Sequence, residues 1–204
     1  MTKHPTAGII LAAGMSTRLG RPKQLIKTGN EYLLWRVIHT ALASDLERIV
    51  LVLGYKAEMI VEALEQKLEH SKLRLVINQR FRDGMSTSLQ LGLRAVEDQF
   101  SSIMVLLGDM PLVDADTINN LLQRFWASDK AICAPIFLGK RGHPVCFGKK
   151  IYPLIMGISG DIGARDIIKR NSSDVLFIEV ENSEIFLDVD NESDVTDLMK
   201  KLRY

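Results

Sequence analysis

Long apolar runs, paired cysteines and an excess of either charge are all missing from this chain of 204 residues. Its two cysteines, Cys133 and Cys146, are separated by twelve residues with no CxxC pair, which excludes a zinc ribbon and a disulfide framework. The longest apolar stretch near the start, Ile9 to Ala13, is too short for a signal-peptide core or a membrane span, so a cytoplasmic location is expected. Lys and Arg number 26 against 25 Asp and Glu, a net charge of +1, which argues against long-range attraction to nucleic acid or an anionic membrane. Any basic site must be local. Low-complexity tracts, repeats and Pro/Gly/Ser-rich linkers are also absent, so residues 1–204 are expected to form one domain.

What is present is an alternation. Apolar runs rich in β-branched residues at 8–12, 48–53, 73–77, 102–107, 131–137 and 175–180 read as buried strands. Between them, residues 32–43, 57–68, 86–96, 115–126 and 162–169 carry apolar side chains three and four apart, the helical spacing. Such alternation predicts a three-layer α/β/α, Rossmann-like fold with a mainly parallel sheet. The pattern weakens after residue 137, where Gly139-Lys140-Arg141-Gly142 and then His143 to Phe147 suggest a turn and an antiparallel insertion. Ligands of such sheets sit beyond the carboxyl ends of the strands, which directs attention to the residues after each one.

After the first strand comes Leu11-Ala12-Ala13-Gly14, then a loop holding Arg18, Gly20, Arg21, Pro22 and Lys23. Glycines let backbone N–H groups approach phosphate oxygens, while Arg offers a planar fork of donors and Lys a point charge. A P-loop is excluded, because five residues rather than four separate Gly14 from Gly20 and Arg21 follows; no GxGxxG is present either. Asp109 follows the fourth strand and precedes Met110-Pro111, where proline stops the strand, so its carboxylate belongs at the sheet edge and fits a Mg²⁺ ligand. Period-2 alternation places Asp188 and Asp190 on one face of an extended segment, with Leu187 and Val189 opposite. Asp194 belongs to the first turn of a following helix. Ser86 reads as the N-cap of the helix after Gly84, and Asp161 as the N-cap of the next-to-last helix. Of the four histidines only His143, between Gly142 and Pro144, is marked; it could donate a hydrogen bond or take a proton.

The run from Leu11 to Lys23 resembles the signature loop of nucleotidyltransferases similar to molybdenum cofactor cytidylyltransferase, within the MobA-like superfamily. Further landmarks follow in family order: Gly84-Met85-Ser86-Thr87-Ser88, Gly108-Asp109-Met110-Pro111, Gly142-His143-Pro144, Gly160-Asp161-x-Gly163-Ala164-Arg165, and Asp188-x-Asp190. The resemblance implies a CMP group moved from CTP to the phosphate of a molybdopterin cofactor, with pyrophosphate released and Mg²⁺ required. In that scheme Arg18 and Lys23 bind the triphosphate, and Asp190 joins Asp109 on the metal. Leu11, Ala12, Ala13, Gly14, Gly84, Ser86 and Ser88 surround the nucleotide, and His143 and Arg165 face the acceptor. Ala13 stands where related guanylyltransferases carry glycine, which would favour a pyrimidine. A molybdoenzyme is a possible partner. The alternatives are transfer to a sugar or alcohol phosphate, a non-catalytic cofactor carrier, and a nicotinamide oxidoreductase, the last weakened by the missing GxGxxG.

Overall fold

The computed structural model describes residues 5–181 and 183–202; His4 lies outside them. Among the described residues ten strands run in chain order: β1 (Thr6–Ala12), β2 (Lys27–Thr28), β3 (Glu31–Tyr32), β4 (Arg48–Leu53), β5 (Leu73–Ile77), β6 (Ser102–Leu107), β7 (Ile132–Phe137), β8 (Lys140–Arg141), β9 (Val145–Gly148) and β10 (Val175–Glu179). The α-helices are α1 (Leu33–Ala43), α2 (Ala57–Leu64), α3 (Met85–Arg94), α4 (Ala115–Trp126), α5 (Tyr152–Met156), α6 (Arg165–Arg170) and α7 (Glu192–Lys201). None of the described helices is long and apolar enough to cross a membrane.

The main sheet has the order β10-β7-β9-β6-β1-β4-β5, with β8 beside β7. β1 lies parallel to β4 and β6, β4 to β5, and β10 to β7. β9 runs antiparallel between β6 and β7, placing Cys133 opposite Cys146. This is the expected mainly parallel α/β architecture with its antiparallel insertion. The two sheet faces separate by strand alternation. Ile10, Leu51 and Leu53 pack with α1, α2 and α4, whereas Ala7, Ile9, Val50 and Val52 pack with α3, α5 and α6. Helices on both faces explain why the strands read as continuous apolar runs.

From β1 the chain builds outward through β4 to β5, then crosses back over the other face by α3 to place β6 on β1's opposite side. The reversal opens a crevice at the carboxyl ends of β1 and β6, the position at which such sheets take ligands.

Several local expectations need correction. The 57–68 helix divides at Glu65, whose φ of 36° ends α2 and starts a separate 3₁₀ turn. Ser86 is not an N-cap. Gly84, at φ 106°, makes the turn into α3, and the Asp161 carboxylate accepts from Met85 N at 3.1 Å. Asp161 therefore caps α3 and not its own helix; Gly160–Ile162 is a 3₁₀ turn, and α6 starts only at Arg165.

Candidate active site

The loop after β1 is shaped by its own hydrogen bonds. Ser16 accepts from Lys23 N through its hydroxyl and from Leu19 N through its carbonyl, both at 3.1 Å. Lys23 opens a 3₁₀ turn directly after Pro22. The next side chain, Gln24, is buried and donates its Nε2 to the Ala12 carbonyl at 2.8 Å, stitching the loop to the strand end.

Asp109 reaches the same place from β6. Gly108 donates to the Leu11 carbonyl at 2.9 Å, and a Cβ on Gly108 would stand 2.8 Å from that of Ala12, so the close approach of the two strand ends needs glycine. The third contribution comes from the far end of the sequence. Asn191 and Asp194 form a capping box at the start of α7, and Asp194 also accepts from Asp190 N at 2.8 Å. Leu19, Ile26, Leu33, Val189 and Leu198 form a small apolar cluster under the loop. Val189 donates its N–H to the Asp109 carbonyl at 3.0 Å, fixing Asp190 beside Asp109. No strand forms here, yet the alternation holds: Leu187 and Val189 face the cluster while Asp188 and Asp190 line a cavity.

At the centre stands Lys23. Its ammonium contacts Asp109 Oδ2 and donates to Asp190 Oδ1 at 2.7 Å, while Arg18 reaches Asp190 Oδ2 at 2.5 Å. Burial pushes the Lys23 amine down, but the two carboxylates outweigh it and hold the ammonium above its ordinary value. The hydrogen bond from Lys23, with the charges of Lys23 and Arg18, holds Asp190 below the usual range against its burial. Asp188 moves up instead, through burial and the like charges of Asp109 and Asp190.

Lys23 lies between Asp109 and Asp190, and no three His, Cys, Asp or Glu side chains among the described residues converge as a metal cluster. The donor set nonetheless suits a hard divalent cation. Asp109 Oδ1 is buried without a hydrogen-bond partner and Asp109 lines the cavity; Mg²⁺ commonly takes only one or two protein carboxylates.

The cavity, about 890 Å³, runs from this triad along Leu11, Ala12, Ala13 and Gly14, past Ser88, to His143 and Arg165. Of the residues expected to surround the nucleotide, Gly84 and Ser86 do not line it. Gly84 packs against Gly160, where an added Cβ would come within 2.4 Å of a backbone carbon, and Ser86 is buried within α3. Ser88 accepts from Asn78 Nδ2 at 2.9 Å. Arg18 lies outside the lining, its side chain 72% exposed. Ala13 lines the cavity, but its methyl faces Gly54. His143 is neutral, its pKa lowered to about 4 by burial and by Arg141 and Arg165, against a hydrogen bond to the Val105 carbonyl. It is thus a poor base at neutral pH, and its buried Nδ1 has no partner.

Gln24, Phe81, Arg82 and Arg141 also line the cavity and are not among the residues singled out from sequence. Gln24 adjoins Lys23 in the Lys23–Leu25 turn, and its burial against the end of β1 shows only in the structure. Phe81 and Arg82 follow β5, and that position after a strand was their signal; Arg141, in a turn between antiparallel strands, carried none.

Comparison with known proteins supplies the family. The chain is 29% identical over 188 residues, 91% of each sequence, to the molybdenum cofactor cytidylyltransferase of Escherichia coli K12. It is 30% identical over 191 residues, 90% of this chain and 91% of the other, to the nicotine blue oxidoreductase of Paenarthrobacter nicotinovorans. The crystal structure of Rv0371c from Mycobacterium tuberculosis H37Rv superposes with a TM-score of 0.83 at 27% identity, covering 98% of this chain and all of that one. That protein has also been solved in complex with manganese, with a TM-score of 0.80, 25% identity and the same coverage. Residues 8–175 match the MobA-like NTP transferase domain, and the chain belongs to that nucleotidyltransferase family.

Proposed function

We propose that this protein transfers CMP from CTP to the phosphate of a molybdopterin-type acceptor and releases pyrophosphate. The observation that carries the reading is the triad at the crevice: Lys23 held between Asp109 and Asp190 beside the glycine-containing loop. Identity over nearly the whole length to the E. coli cytidylyltransferase supports the nucleotide and the acceptor.

Lys23 and Arg18 meet the triphosphate and offset charge that develops on the departing pyrophosphate. Asp109 and Asp190 would hold Mg²⁺, which when bound neutralises phosphate oxygens. An oxygen of the acceptor phosphate attacks the α-phosphorus as the bond from that phosphorus to the leaving pyrophosphate oxygen breaks. Because the attacking oxygen is already anionic, no side chain has to remove a proton, in keeping with a neutral, weakly basic His143. Positioning and charge neutralisation do the remaining work.

Pyrophosphate release with CTP, Mg²⁺ and molybdopterin cofactor tests the reading, with GTP, ATP and UTP in parallel. Absence of release while CTP still binds would leave a cofactor carrier that delivers to a molybdoenzyme. A second reading, an oxidoreductase on this scaffold, is favoured by the identity to nicotine blue oxidoreductase. Consumption of NAD(P)H, followed by absorbance, would separate it from the first.

A further inference from the structure

The main sheet ends on β10, and among the described residues β10 pairs only with β7. Val180 donates its N–H to the Ile136 carbonyl at 2.9 Å. In a parallel ladder alternate residues face a given neighbour, so Leu176 and Ile178 also bond β7, while Val175, Phe177 and Glu179 turn their N–H and C=O groups outward. Among the described residues nothing bonds these outward groups. Such an edge is a template for another strand, and natural edges are often blunted by lysine or proline. Val175-Leu176-Phe177-Ile178 has neither, whereas the opposite edge, β5, carries Arg74 in its interior. Phe177, at the middle of β10, is 45% exposed. The two ends of the strand also differ in charge. Beside its start, Lys130 donates to the Ser173 carbonyl at 3.0 Å and Lys150 pairs with Asp174 at 2.7 Å, two cations against one acid. At its end stand Glu179 and Glu181, both exposed.

We infer that β10 pairs antiparallel with β10 of a second copy of this chain, about a two-fold axis at Phe177, so that the sheet continues across a homodimer. In that register Val175 lies opposite the partner's Glu179, Phe177 opposite the partner's Phe177, and Ser173 opposite the partner's Glu181. Residues 175, 177 and 179 then all fall in hydrogen-bonded pairs, which exchange both bonds, so every outward backbone group of β10 is used. The axis also sets the two exposed rings side by side on one face of the sheet. It brings the basic start of each strand against the acidic end of the other, which fixes the direction of pairing. Because the contact is isologous and uses the edge of each copy once, it closes at two. None of this depends on the nucleotidyl-transfer reading.

Sedimentation velocity of the full chain from about 1 to 200 µM tests the pairing, and should show a reversible monomer–dimer equilibrium with nothing larger. Phe177→Lys puts a charge at the axis twice and should weaken dimerisation by at least about thirtyfold. Glu181→Lys should weaken it about tenfold, and adding Lys130→Glu to that variant should restore it. Glu181 lies beyond the strand, so this pair of variants decides the matter if Phe177→Lys fails to fold, which circular dichroism reports. Amide hydrogen exchange locates the contact: the Phe177 N–H should slow as concentration rises, and those of Leu176 and Ile178, already bonded to β7, should change much less. A chain that stays monomeric throughout, or a dimer that survives Phe177→Lys, overturns the proposal. So does concentration-dependent protection confined to another segment such as β5. Species that grow past the dimer would replace the closed two-fold by open-ended pairing, and a charge exchange that restores nothing would overturn the register.

Discussion

Lys23 and Asp190, 167 residues apart in sequence, meet at 2.7 Å. The lysine occupies, with its ammonium, the space between two carboxylates that a divalent cation would share, so the two positive charges compete for the same oxygens. Lys23→Met should lower turnover by about two to three orders of magnitude, the scale for losing a charge stabiliser of the transition state. The same variant should bind Mn²⁺ more tightly than the parent when nucleotide is absent. Calorimetry that finds Mn²⁺ affinity unchanged or weaker would refute the competition.

Asp109→Asn preserves size and removes charge at the buried end of the triad. Metal-dependent pyrophosphate release should collapse while the circular dichroism spectrum is retained. A variant that titrates with Mg²⁺ like the parent would place the ion elsewhere.

His143 is held to a pKa of about 4 against 6.5 in an unfolded chain. Between these values the unfolded state binds the extra proton, so stability falls as pH drops from 6.5 to 4, by about 3 kcal/mol for this residue. His143→Gln should flatten that part of the stability profile. Urea midpoints measured across this window in both proteins decide it, and parallel profiles would count against the buried neutral ring.

Leu198 is fully buried in the small cluster beneath the β1 loop. Leu198→Ala should cost about 2–5 kcal/mol locally and loosen α7 from Leu19 and Val189. Limited proteolysis should then cut within residues 187–202 before the rest of the chain opens, whereas simultaneous digestion of the whole protein would show that the cluster is not a separate unit.

Because the Ala13 methyl lies against Gly54 and one methyl discriminates only modestly, Ala13→Gly should raise GTP use relative to CTP by less than about tenfold. Competition between the two nucleotides measures the ratio directly. A larger change would make this methyl the principal determinant of base choice.

The central strands were legible because each is a short β-branched run closed by polar residues or glycine, and β4, β5 and β6 keep the limits read from sequence. Lys23 and Asp109 were legible for the same reason, since both follow a strand that had to be buried. Ser86 and Asp161 were misread because the acceptor that caps α3 lies 76 residues away, beyond the reach of local capping preference. Nothing in composition or spacing reveals that Arg141 shares a cavity with Arg165. That proximity depends on β9 slotting between β6 and β7, a matter of sheet order and not of periodicity.

The bond from Val189 to Asp109 also sets an order of assembly. During translation the β1 loop and Asp109 leave the ribosome long before residue 190, so a nascent chain carries Lys23 with a single carboxylate. The second acid, and the cluster that seats it, arrive only after β10, the last strand of the main sheet, has been made. Completion of the triad thus doubles as a report that every strand of the main sheet has been made and the segment after β10 has docked.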